Sequence, residues 1–156
     1  MSRAKPPAEL KVMRVRECDP VIAKADTPEA VADYWRSHLP GADWYDPDKE
    51  AFVVLLLNTR RHVLGHNLVS LGTLDSSIVC PREVFRPAIA MAASALIMLH
   101  NHPSGDPQPS EADIRITREL VRAGQLLRVD VLDHVIIGDR SHSPGHLSMR
   151  EHGYLS

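Results

Sequence analysis

His100 and His102 stand one residue apart at the head of the stretch HNHPSGDPQPSEAD, which ends on Asp113. Alternate side chains of an extended chain point the same way, so histidines at that spacing can bring both imidazoles to one point. Asp113 falls three residues after Ser110, in the first turn of the helix that the following residues predict. Two imidazoles and one carboxylate make a three-ligand set that suits a catalytic Zn²⁺, with the fourth tetrahedral position left to water. Such a site hydrolyses an amide by lowering the pKa of its water to about 7 and polarising the carbonyl, and it needs a nearby base to take the proton. Fe²⁺ or Mn²⁺ would also accept two His and one Asp.

The elements around the motif should hold these groups in place. Leu96 to Leu99 are apolar and read as a short buried strand, which sets the histidines at its end. Pro103, Pro107 and Pro109 stiffen the connecting loop, and Gly105 permits a turn that other residues resist. Each position also has a plainer reading. Ser is a favoured N-cap and an acid three residues on can reach back to the cap amide, so Ser110 and Asp113 taken alone are capping residues. Histidines at a strand end are often surface residues. The full pattern, His-x-His followed by seven residues, Ser, two residues and Asp, favours the metal.

His100-x-His102-Pro103 with Ser110-x-x-Asp113 resembles the JAMM (MPN-type) zinc metalloprotease motif, and HNHPSGDPQPS with LDHVIIGD at 132 to 139 resembles the RadC family in particular. The likeness runs from about Glu50 to Gly153. Asn101 stands where the deubiquitinase branch carries Ser or Thr, and Asn is what the RadC branch carries. The resemblance implies a cytidine-deaminase-like α/β/α sandwich, a Zn²⁺ held by His100, His102 and Asp113, and a glutamate base at the head of a hydrophobic strand. Glu50 matches that place. Glu83, in PREVF near a helix start, competes for the role, but an acid is expected there to complement the helix dipole. Ser110 would donate a hydrogen bond to the developing oxyanion or to the water. A serine nucleophile is disfavoured, because no G-x-S-x-G pattern surrounds any serine.

The 156 residues, 44% of them apolar, suit one domain with a sizeable core. A formal charge of −2 gives no global field that would draw the chain to nucleic acid. Cys18 and Cys80 are too few for a disulfide framework, and no signal peptide or membrane-length apolar run is present, so a reducing cytoplasm is the expected compartment.

Residues 1–25 read as an extended tail whose alternation at Leu10, Val12 and Val15 could add an edge strand, and 26–156 as a single domain. Thr27-Pro28-Glu29 opens a helix that should run to about Leu39 before Pro40-Gly41. Ala51 to Leu57 is a central strand covered on both faces, Asn58 to Arg61 a turn, and His62 to Leu71 its partner. Pro81 to about Ala93 is a helix with Val84, Phe85, Ala88, Ile89 and Ala92 on one stripe, either kinked at Pro87 or starting nearer Phe85. A helix from Ser110 to about Leu127, a strand from Val129 to Ile137 and a short strand from His146 to Met149 complete a mixed sheet flanked by helices.

Asp133 and His134 interrupt an apolar strand. A buried polar pair must be hydrogen-bonded, so the pair either satisfies backbone, the preferred reading, or orients a ligand histidine. His62, His66, His142, His146 and His152 are expected at the surface, and Cys80 as a small hydrophobe. The leading function is zinc-dependent hydrolysis of a peptide or isopeptide bond in a protein or peptide substrate. The RadC name also implies a DNA repair or recombination accessory, although the residues before Glu50 show no paired glycine hairpin of the helix-hairpin-helix region that longer members carry. A non-catalytic scaffold of the same fold is the third reading. Zinc deamination lacks its H-x-E and P-C-x-x-C signature. An apolar edge strand could pair with an extended peptide or with another subunit.

Overall fold

The computed structural model describes residues 7–9, 24–72, 74 and 77–156, and most of the expected tail, including Leu10, Val12, Val15 and Cys18, lies outside them. Helix α1 spans Pro28–His38, capped by the Thr27 hydroxyl on the Ala30 amide, and a single 3₁₀ turn over Leu39–Gly41 follows it. Strands β1 (Ala51–Leu57) and β2 (Val63–Leu71) form an antiparallel pair, and α2 (Pro81–Ala90) leads to β3 (Ala95–Asn101). Helix α3 (Glu111–Leu127) then crosses to β4 (Asp130–Ile137), and β5 (His146–Ser148) closes a five-stranded sheet whose order is β2-β1-β3-β4-β5. The β3–α3–β4 crossover makes its two strands parallel, and the other pairs are antiparallel. A mixed sheet flanked by helices was the expectation, and it holds.

The alternation of β1 and β3 sorts the core into two layers. Val53, Leu55, Leu57, Ile97 and Leu99 face Val31, Ala32, Trp35 and Leu39 of the α1 side. Phe52, Val54, Leu56, Leu96 and Met98 face Val84, Phe85 and Ala88 of α2 and Ile116 and Leu120 of α3. All seven residues of β1 and all seven of β3 are buried, which is why both read as nearly unbroken apolar runs.

Two expectations need correction. Helix α2 begins at Pro81 and runs through Pro87, but it stops at Ala90, so Ile89 is 58% exposed instead of joining the buried stripe. The cause is local: Ala92 turns left-handed (φ 53°) and its amide bonds back to Ile89, which swings the chain into β3. His146, expected at the surface, is buried at the start of β5, with Nε2 3.6 Å from Glu29 of α1. No helix among the described residues is long and apolar enough to cross a membrane.

Candidate metal centre

Register builds the site. Phe52 of β1 pairs with His100 of β3, and the same antiparallel register continued by two residues sets Glu50 opposite His102. By alternation His100 points to the α2/α3 side of the sheet, where the first turn of α3 presents Asp113. His100 Nε2 and His102 Nε2 lie 2.9 Å apart. Asp113 Oδ1 is 3.3 Å from the first and Oδ2 is 3.3 Å from the second. Donor atoms about 2.1 Å from a tetrahedral Zn²⁺ would stand about 3.4 Å from one another, close to the two 3.3 Å separations and longer than the 2.9 Å between the imidazoles. A carboxylate oxygen of Glu50 lies within 4.8 Å of both imidazoles, so Glu50, His100 and His102 form a group that could hold a metal ion.

The bonding of the ring nitrogens favours the same chemistry. His102 Nδ1 donates to the Asp106 carbonyl at 2.8 Å, and His100 Nδ1 is engaged by His134 Nε2 at 2.7 Å. Both Nε2 atoms are thereby left for the shared point. Asp113 Oδ1 is buried and takes no hydrogen bond, an acceptor with nothing to accept. A buried carboxylate oxygen without a donor is costly, and a cation between it and the imidazoles would relieve that cost.

Electrostatics follow from this packing. Burial alone would raise the Asp113 pKa, but the His100 and His102 imidazoles and the Ser110 amide hold its carboxyl well below the usual carboxylate range. Burial opposes the charged form of His102, yet the Asp113 carboxylate, the Asp106 carbonyl and Glu50 together raise its pKa above the ordinary value. His134, fully buried beside His100, is held well below the ordinary histidine value, chiefly by desolvation.

The capping expectation for Ser110 and Asp113 is met alongside the convergence of His100, His102 and Asp113. Ser110 Oγ accepts from the Asp113 amide at 3.1 Å and Asp113 Oδ2 accepts from the Ser110 amide at 2.7 Å. Ser110 itself is exposed and lines, with Glu50, His102 and Asp113, an open cleft of about 420 Å³ that Leu74 and Pro103 also border. Glu83 does not border that cleft: it pairs with Arg82 at 3.4 Å and Arg86 at 3.3 Å on the surface of α2.

The chain matches the model of the RadC-like JAB domain over residues 25–154. It belongs to that family. A UPF0758 protein of Desulfitobacterium hafniense is 45% identical over 138 residues, covering 88% of this chain and 57% of the relative. One from Desulforamulus reducens is 54% identical over 97 residues, 62% of this chain and 43% of the relative, and one from Methanosarcina mazei is 47% identical over 107 residues, 69% and 45%. The chain thus spans about half the length of the curated relatives it matches.

Several residues that build this RadC-like site were not evident from the sequence. Asn101, between the two histidines, turns to the other face and brackets Glu50: its Oδ1 accepts from the Ala51 amide at 2.8 Å and its Nδ2 donates to the Lys49 carbonyl at 3.0 Å. Thr117, one turn below Asp113 on α3, bonds to the Asp113 carbonyl at 2.6 Å, and its i+4 spacing was the only hint. The backbone-satisfying reading of Asp133-His134 holds for Asp133. Asp133 satisfies backbone and Ser148, accepting from the His134 amide at 2.7 Å, the Arg150 amide at 3.0 Å and the Ser148 hydroxyl at 2.6 Å. His134 meets His100.

Proposed function

We propose that this chain is a metal-dependent hydrolase of amide bonds in peptides or proteins, with Zn²⁺ held by His100, His102 and Asp113. The observation that supports this most is the convergence of two imidazole Nε2 atoms 2.9 Å apart with the Asp113 carboxylate, whose unpartnered Oδ1 is 3.3 Å from His100 and whose Oδ2 is 3.3 Å from His102, in a family-matched domain. A zinc ion bound there supplies the Lewis acidity that acidifies a water and polarises a carbonyl. Glu50 takes the proton from the attacking water and returns it to the leaving amine, so the protons balance across the cleavage. It stands opposite His102 and borders the open cleft, so one face of it meets the substrate side. Ser110 donates its hydroxyl to the oxygen that gains charge, and its Oγ keeps that proton because it accepts, and does not donate, in the cap.

Metal content of wild type, His102→Ala and Glu50→Gln, with cleavage of a fluorogenic peptide library, tests the reading. One zinc per chain in wild type, lost with His102→Ala and retained by Glu50→Gln while cleavage disappears, is the expected result. Wild type that takes up no zinc, or Glu50→Gln that cleaves as wild type does, would overturn it.

A further inference from the structure

Thr117 and His134 lie behind the metal centre, where neither touches the cleft, and both are fully buried. They form a line of short contacts: His100 Nδ1 to His134 Nε2 at 2.7 Å, His134 Nδ1 to Thr117 Oγ1 at 2.6 Å, and Thr117 Oγ1 to the Asp113 carbonyl at 2.6 Å. We propose that Thr117 and His134 are positioning residues which fix the metal-binding tautomer of His100 and tie it to Asp113. This inference rests on the metal reading above.

The polarity of the line follows from counting protons. The Asp113 carbonyl can only accept, and the Thr117 hydroxyl carries one proton, so that proton goes to the carbonyl. The Met149 sulfur, 3.5 Å away, is a weak and more distant competitor. Thr117 Oγ1 therefore faces His134 with a lone pair, and the proton between them belongs to His134 Nδ1. Neutral His134 then has a bare Nε2, which accepts, so His100 must donate from Nδ1. His100 Nε2 is left without a proton and directed at the Asp113 Oδ1 atom that accepts no hydrogen bond. Reversing either the His100–His134 or the His134–Thr117 link alone would set two lone pairs, or two protons, against each other at 2.6–2.7 Å between fully buried side chains. The bare His100 Nε2, by contrast, stands 2.9 Å from His102 Nε2 and 3.3 Å from Asp113 Oδ1, a cluster of acceptors that a cation, or a proton on His102, would satisfy.

The line also closes on itself. It begins on one proposed ligand, His100 of β3, passes through β4 and α3, and ends on the backbone of another, Asp113. Residues 134 and 136 share a face of β4, and Ile136 pairs with His100, which places His134 beside the ring it must hold. Thr117 is four residues after Asp113, the spacing at which a helical threonine reaches back to a carbonyl. Partners of ligand histidines set ring orientation and tautomer, and losing them typically weakens metal binding ~10- to 100-fold.

Nitrogen chemical shifts of the imidazoles in zinc-loaded protein, with zinc affinity by chelator competition for wild type, Thr117→Val and Thr117→Ser, test the proposal. The expected shifts show protonated Nδ1 and unprotonated Nε2 on both His100 and His134. Thr117→Val, nearly isosteric but unable to fix the polarity, should mix the tautomers of His134 and weaken zinc ~10- to 100-fold, whereas Thr117→Ser should stay within ~3-fold of wild type. An Nε2-protonated His134 in wild type would overturn the proposal without any variant. Thr117→Val that binds zinc as wild type does would overturn it alone, and wild type that binds no zinc would overturn the metal reading and this one with it.

Discussion

Replacing Gly138 by alanine tests how the loop that carries His102 is held. Gly138 follows β4, and an added Cβ would meet the Gly105 carbonyl oxygen at 2.2 Å and Pro107 Cδ at 2.9 Å. Restoring ordinary contact at 3.4 Å requires the loop to retreat by about 1.2 Å, the difference between 3.4 and 2.2 Å. That loop is fixed by the Asp139 amide on the Gly105 carbonyl at 2.9 Å, and it supplies the Asp106 carbonyl that receives His102 Nδ1 at 2.8 Å. A retreat of that size stretches both bonds to about 4 Å, beyond hydrogen-bond range. Two lost bonds at about 1 kcal/mol each give about 2 kcal/mol, or a fall in Tm of about 4–8 °C for a domain of this size. Zinc binding should weaken as well, by ~10- to 100-fold, because His102 loses the partner that orients its ring. Thermal unfolding with and without zinc reads both effects, and Gly65→Ala on β2, where nothing lies within 4 Å of the added carbon, is the control. If Gly138→Ala melts within about 1 °C of Gly65→Ala and binds zinc equally, the loop does not depend on this contact and the reasoning fails.

Asn101→Ala removes both bonds that bracket Glu50 and should cost about 1–3 kcal/mol in urea unfolding while leaving zinc affinity within ~3-fold; loss of bound zinc would show that Asn101 supports the ligands instead. The Asp113 carboxyl is held low, so its contribution to stability is present above about pH 3.9 and lost on acidification, while His102 is held high, so its contribution is complete below about pH 6.5 and lost as the pH rises. Metal-free protein should therefore draw most from this pair near pH 5–6, whereas zinc, which competes with the proton on His102, should raise Tm more at about pH 8 than at about pH 5, and the opposite order would refute the pairing. Burial pushes the Asp133 carboxyl up against its three donors, so ionisation costs stability as the pH rises. Asp133→Asn can still accept from the His134 and Arg150 amides and donate to Ser148, so it should stay within about 1 kcal/mol of wild type at neutral pH, while Asp133→Ala, which strands those donors, should lose about 3 kcal/mol; equal losses on chemical denaturation would refute this account.

What the sequence disclosed depended on the range over which the information acts. Strand β1 was legible to the residue because both its faces are covered, so its apolar run has no gap. The start of helix α3 was legible because its cap is local, with Ser110 and Asp113 three residues apart. The end of α2 was not, since a single left-handed residue at Ala92 decides it and alanine gives no sign of that conformation. The burial of His146 depends on α1, more than a hundred residues earlier in the chain. Within the site, His100, His102 and Asp113 stood out by spacing and His134 as a polar residue in an apolar strand, but Asn101 and Thr117 act on partners 50 and 17 residues away, and no local pattern announces those meetings.

Ser110 and Asp113 show how a helix cap can leave a carboxylate oxygen free for other chemistry. As a sequence they offered a choice between a helix cap and a metal site. The carboxylate has two oxygens, and the structure divides them: Oδ2 accepts from the Ser110 amide, and Oδ1 is left without a donor, facing His100. A free carboxylate on a helix rotates among its rotamers, and holding one costs entropy when a ligand binds. The cap meets that cost during folding, because the bond that closes the first turn of α3 also stops the rotation and directs the second oxygen at the imidazoles. Asp113→Asn separates the two roles: its amide carbonyl can keep the cap, but it removes the negative charge from the convergence point. Near-wild-type stability of the metal-free protein together with weaker zinc binding is the expected outcome, and equal loss of both would mean that the carboxylate serves only the helix.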